Sequence, residues 1–170
     1  MRDIQLRWVV VLMGSIMILS GCTYAAIQRL SLEEQAEFHI YQKVMTPSQE
    51  RTYLAKTTAA ERTAYLREIG LAQRFQALYP VDREAVLQGV PRVGMSAEAL
   101  LFLWGIPYYK SGDARRDAHW YYLGSSFDLA SSGNRYTESG TRVDVYLVAG
   151  KVVGWVDYAP SDESPGKRFR

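Results

Sequence analysis

Thr141-Arg142-Val143-Asp144-Val145-Tyr146-Leu147-Val148, then Ala149-Gly150, then Lys151-Val152-Val153-Gly154-Trp155-Val156-Asp157-Tyr158 is the stretch on which the fold turns. Two runs rich in β-branched and aromatic residues flank a two-residue turn, the pattern of a β-hairpin. Strand side chains alternate between faces, so Val143, Val145 and Leu147 form one row and Asp144, Tyr146 and Val148 the other. The charge on Asp144 sends the valine row toward a core and leaves Tyr146 outward. Plain alternation through the turn places Trp155 on that open face too, alongside Val153.

Upstream, His119 to Leu123 reads as a further strand, with Trp120 and Tyr122 on one face and Tyr121 and Leu123 on the other. Ser96 caps a helix over Ala97–Trp104, which Gly105 and Pro107 end. The Ser-, Gly- and Asn-rich run Gly124–Gly140 reads as a long loop. Residues 91–158 are therefore expected to pack a helix on a three-stranded antiparallel sheet. Before them the pattern is helical. Ser31-Leu32-Glu33-Glu34, Thr46-Pro47-Ser48-Gln49 and Thr58-Ala59-Ala60-Glu61 each have the form of a capping box. They predict helices from Leu32 to about Met45, from Pro47, and from Ala59 to a stop at Gly70. Leu71, Phe75 and Leu78 continue an apolar stripe, and Asp82 is placed to cap a short helix through Leu87. The joint between the halves reads as Gly89-Val90-Pro91-Arg92. The fold class expected is α+β, with a helical region at 31–90 ahead of the sheet domain.

The amino-terminal residues carry an address. Arg2 and Arg7 precede an apolar run from Trp8 to Ile18, and Leu19-Ser20-Gly21-Cys22 closes it. This stretch resembles a bacterial lipoprotein signal, in which the peptide is cut before a cysteine that then receives lipid. The run is short of the ~20 apolar residues needed for a span. Residues 1–21 would be the signal peptide, Cys22 the lipidation site, 22–30 a tether and 159–170 a polar tail. Removing 21 of the 170 residues leaves 149, enough for a real core. Basic residues then fall from 20 to 18 and acidic ones from 18 to 17, a balance that does not favour nucleic acid. Cys22 is the only cysteine, so no disulfide can brace the chain. Thr23 stands where an aspartate would, in enterobacterial lipoproteins, favour inner-membrane retention; the resemblance thus implies an outer-membrane, periplasm-facing protein.

A second resemblance rests on Val93-Gly94-Met95-Ser96, Leu100, Leu101, Trp104-Gly105-Ile106-Pro107, Trp120-Tyr121-Tyr122, Val143 to Leu147 and Gly150-Lys151-Val152-Val153. Together these resemble the SmpA/OmlA family, the BamE-like small outer-membrane lipoproteins, over roughly Arg92 to Tyr158. The likeness implies helices on a three-stranded antiparallel sheet, as in the β-lactamase inhibitor protein fold. It also implies a binding role without catalysis, in outer-membrane protein assembly or envelope maintenance. Trp104, the long Gly124–Gly140 loop and the helical residues Ser31–Tyr79 depart from the compact family pattern.

Catalytic signatures are sparse. His39 and His119 are isolated, with no cysteine beside them and no metal-ligand spacing. Gly124-Ser125-Ser126 lacks the nucleophile elbow, and no phosphate-cradling glycine loop follows a strand. No catalytic residue, metal ligand or cofactor is assigned. The candidate partner-binding residues are Tyr121, Tyr146 and Trp155, with an envelope protein as the expected partner. Two alternatives remain open from sequence: a periplasmic scaffold that binds through its helical half, burying the aromatic face beneath it, or an envelope enzyme or enzyme inhibitor.

Overall fold

The computed structural model describes residues 24–131 and 140–158. Residues 1–23, with the expected signal peptide and Cys22, and the expected polar tail 159–170 lie outside the described residues. In chain order come α1 (Leu32–Tyr41), α2 (Pro47–Ala55), α3 (Ala59–Glu68), α4 (Leu71–Gln76), α5 (Pro80–Leu87) and α6 (Ala97–Trp104). They are followed by β1 (Tyr109–Gly112), β2 (Asp117–Leu123), α7 (Ser126–Ser131), β3 (Arg142–Val148) and β4 (Lys151–Tyr158). The chain is α+β, with several helices and one antiparallel sheet in the order β1-β2-β3-β4. Among the described residues no helix is long and apolar enough to cross a membrane.

All three capping boxes close, each pairing the Ser or Thr oxygen with the third helical amide and the Glu or Gln side chain with the cap amide. These reciprocal bonds satisfy donors that a helix start leaves free. The first helix ends at Tyr41 and not at about Met45: a turn follows in which the Val44 and Met45 N–H groups both donate to Tyr41 O, and Thr46 is then extended to cap α2. Gly70 takes φ of +77°, ending α3, and α4 begins at the next residue. Asp82 is not the cap of α5, which opens at Pro80. Its buried carboxylate instead accepts from the Ser96 amide at 3.0 Å and from Arg92 Nη2 at 2.6 Å. Burial pushes that carboxyl up, but the bonds from Ser96 and Arg92 outweigh burial and hold it below its usual range. A negative charge at the start of α6 is favourable there, so Asp82 clamps the joint between the two halves.

Residues 24–30 do not form an extended tether. Gln28 N–H donates to Tyr24 O and Leu30 N–H to Ile27 O, and the apolar Ile27 and Leu30 pack onto the core. The sheet has four strands where three were expected. Its extra member, β1, pairs Tyr109 with Tyr121 and Gly112 with Ala118. Tyr109-Lys110-Ser111-Gly112 is short and mostly exposed, so it carries no alternation to announce it and is held through backbone pairing as an edge strand. The Gly124–Gly140 run is also not all loop: α7 occupies its first part, and residues 132–139 lie outside the described residues. Ser126 ties α7 to β4 through its amide and hydroxyl on Asp157, at 2.7 and 2.8 Å.

The core is continuous from Leu30 to Val152. At its centre α6 buries Ala99, Leu100, Phe102, Leu103 and Trp104. Phe102 meets Tyr41 and Phe75 edge-on, at 6.1 and 5.4 Å between ring centres. Trp104 meets Tyr122 and Trp155 edge-on, at 5.5 and 6.0 Å. The helical layer thus packs on one side of α6 and the inner sheet face on the other. That inner face is the expected one: Trp120, Tyr122, Val143, Val145 and Leu147 are all buried. Trp120→Ala should therefore cost about 3–5 kcal/mol, the range for deleting a buried large aromatic, in urea melts of the purified protein. A loss under about 1 kcal/mol, typical of surface positions, would reverse the assignment of faces.

Candidate functional site

The outer sheet face follows from strand alternation and register. Tyr109 of β1 pairs with Tyr121 of β2, and Tyr121 with Asp144 of β3. His119 lies opposite Tyr146, and Arg142 opposite Tyr158. Because the helices pack on α6 and the inner face, these side chains are not covered by the helical layer. Tyr109 keeps 58% of its surface exposed, Tyr158 41% and Tyr146 40%.

The rings form a connected sheet-top layer. Tyr109 and Tyr121 stand 5.6 Å apart, His119 and Tyr121 4.2 Å, and His119 stacks on Tyr146 at 4.4 Å. The Arg142 guanidinium lies over Tyr158 at 4.6 Å and Tyr121 at 5.9 Å, within cation–π range. Among these groups Asp144 keeps only 4% of its surface although it sits on the outer face. Arg142 Nε is 2.8 Å from Asp144 Oδ1, an ion pair too oblique to be a hydrogen bond. The Tyr121 hydroxyl and His119 Nδ1 are hydrogen-bonded at 2.9 Å, while His119 Nε2 is 3.7 Å from Asp144 Oδ2, beyond hydrogen-bond length. The Asp144–His119–Tyr121 series is therefore open at its first link, which is not the geometry of an assembled proton relay. The Tyr146 phenol is raised above its usual value by partial desolvation, then by Tyr158 and Asp144. Rings that are apolar on their faces and polar at their tips suit a surface that binds.

Two of the three sequence candidates, Tyr121 and Tyr146, share this face. Trp155 does not. Between β3 and β4 the register slips at Tyr146/Leu147: Leu147 pairs with Val152, but Tyr146 pairs with Gly154. Val153 is the extra residue of a β-bulge, and a bulge reverses the side-chain phase beyond it. Trp155 then lies opposite Val145 on the inner face, half-buried against Trp104. Gly154 takes the outer position beside Tyr146, where even a Cβ would meet nothing within 4 Å. Tyr109, His119, Arg142, Asp144 and Tyr158 complete the face. Asp144 was already in the outer row, and the same alternation from Tyr121 and Tyr146 could have found His119 and Arg142; nothing in the sequence marked Tyr109, since its strand was not recognised.

Among the described residues no group of three or more His, Cys, Asp or Glu is placed to hold a metal ion. Comparison with protein-family models, curated proteins and solved structures returned no match for this chain.

The two aromatics should separate cleanly on substitution. Trp155→Ala is expected to lower stability by about 2 kcal/mol, a part of the cost of emptying a fully buried aromatic site. Tyr146→Ala should cost under about 1 kcal/mol, as an outer-face residue. Parallel urea melts of the two variants check this, and the reverse order would restore the uninterrupted alternation of β4.

Proposed function

We propose that this chain is a lipid-anchored outer-membrane protein, facing the periplasm, that binds an envelope protein through its outer sheet face and has no catalytic role of its own. The observation that carries the binding reading is the Tyr109, Tyr121, Tyr146 and Tyr158 layer, left open because the helical region packs on the opposite side of the sheet. Tyrosines dominate interface energies when partners bury them, often by 2 kcal/mol or more at a hot spot. The anchor rests on the Leu19-Ser20-Gly21-Cys22 motif, and the BamE-like reading on the quoted motifs together with a helix packed on an antiparallel sheet. Outer-membrane protein assembly or envelope maintenance is the role this reading favours. Since residues 24–30 fold onto the body, a lipid on Cys22 would hold the domain close to the bilayer.

Two variants test the two parts separately. Cys22→Ser should abolish incorporation of an alkyne fatty acid in labelled cells, as no other thiol can take lipid; persistent labelling would overturn the anchor. Tyr146→Ala should reduce capture of the envelope partner from crosslinked membranes several-fold with the melting midpoint nearly unchanged. Unaltered capture would move the partner surface off the sheet.

A further inference from the structure

A cavity of about 410 Å³ lies on the helical side of the molecule, away from the outer sheet face. Ile40 of α1, Leu87 of α5 and Phe127 of α7 give it accessible apolar walls, over a floor where the buried Val86, Phe102 and Leu103 lie. One face of α1 and the turn after it supplies Ala36, His39, Ile40 and Lys43, at spacings of three and four residues that align on one side of a helix.

Lys43 is the unusual member. It keeps 8% of its surface, yet it has no acidic partner among the described residues. Its ammonium donates to the carbonyl oxygens of Leu129 and Ala130 at the end of α7. An ammonium carries three donors, so one remains. Carbonyl dipoles offset a buried positive charge only in part, and burial pulls this amine down to about 8. His39 also lines the wall, its Nδ1 2.7 Å from Gln42 Nε2. Among the described residues no carboxylate lines the cavity.

We propose that this cavity binds a single-chain carboxylate amphiphile of the fatty-acid class, its head group paired with Lys43 and its chain against Ile40, Leu87 and Phe127. Charge complementarity selects the head group. A buried cation on a residue lining a largely apolar space, with no anion beside it among the described residues, is completed by a ligand that brings one negative charge and otherwise apolar surface. Size selects the chain: the volume lies near the lower end of the ~300–1,000 Å³ found for small-molecule pockets, which suits one chain rather than a two-chain lipid. This site is independent of the outer-face reading and stands or falls without it.

The test is titration of the full chain, held in a neutral detergent, with laurate labelled with carbon-13 at its carboxyl, read by the carboxyl resonance; dodecanol and dodecyl phosphate are run beside it. Laurate should bind saturably at one site per chain and more tightly than dodecanol. Lys43→Met should weaken it about 10-fold or more, as expected for loss of a charge-assisted bond. Because Lys43 also holds α7, Leu87→Glu serves as the second variant. Leu87 lines the cavity but is 65% exposed, so the substitution should spare the fold while placing a like charge in the wall against which the ligand lies, with a similar loss of affinity. Unsaturable laurate binding, equal binding of dodecanol, binding of the phosphate alone, or wild-type affinity in Leu87→Glu would each overturn the proposal.

Discussion

Eight residues, Ala97–Trp104, face apolar surface on both sides, and most of the molecule is arranged around satisfying them. With Leu100, Phe102, Leu103 and Trp104 spread over two sides and Glu98 at the surface, α6 is too apolar to rest on a sheet with its other side in water. A sheet of four strands covers one side through Trp120, Tyr122, Val143, Val145 and Leu147. The helical region covers the other, with Tyr41 and Phe75 closing on Phe102. Because that requirement draws the helices to α6, the outer face of the sheet stays open. The same geometry that completes the core therefore leaves Tyr109, Tyr146 and Tyr158 open to solvent.

How far this could be read from sequence depended on whether each signal was local. Ser31, Thr46, Thr58 and Ser96 announce helix starts because a cap and its partner lie within three residues. The inner rows of β2 and β3 were legible because a buried face writes period two into its residues. Tyr109–Gly112 was not, as an exposed edge strand is defined by its neighbour's backbone. The helix Ser126–Ser131 was hidden for a similar reason. Its position depends on Asp157, thirty-one residues after Ser126, and on Lys43 from the helical region. Asp82 was read as a cap from its local setting, whereas its partners are Arg92 and Ser96.

At the candidate site the outcome was mixed for one physical reason. Tyr121 and Tyr146 were placed correctly since β2 and β3 pair in regular register. Trp155 was not, because a single bulged residue, Val153, inverts every side chain after it. The hairpin turn gives no hint of that slip. The burial of Asp144 was equally illegible: alternation assigns it to the outer face, and although Arg142 lies two residues away on its own strand, the rings around it come from β2 and β4 as well. Lys43 shows the same limit from the other direction. A lysine near a helix end reads as a solvated charge until the distant α7 closes over it.

If α6 joins the helical layer to the sheet in one cooperative core, weakening it must be felt equally on both sides. Native-state hydrogen exchange, read by mass spectrometry in the wild type and in Phe102→Ala, measures this directly, since opening free energies are resolved segment by segment. Phe102 touches Tyr41 and Phe75 in the helical layer and does not belong to the sheet. The substitution should lower the opening free energy of peptides covering Tyr65–Leu66 of α3 and Val143–Leu147 of β3 by the same amount, about 3–5 kcal/mol. A loss confined to the α3 peptide, with β3 protected as before, would contradict the shared core and make the sheet a separately stable unit.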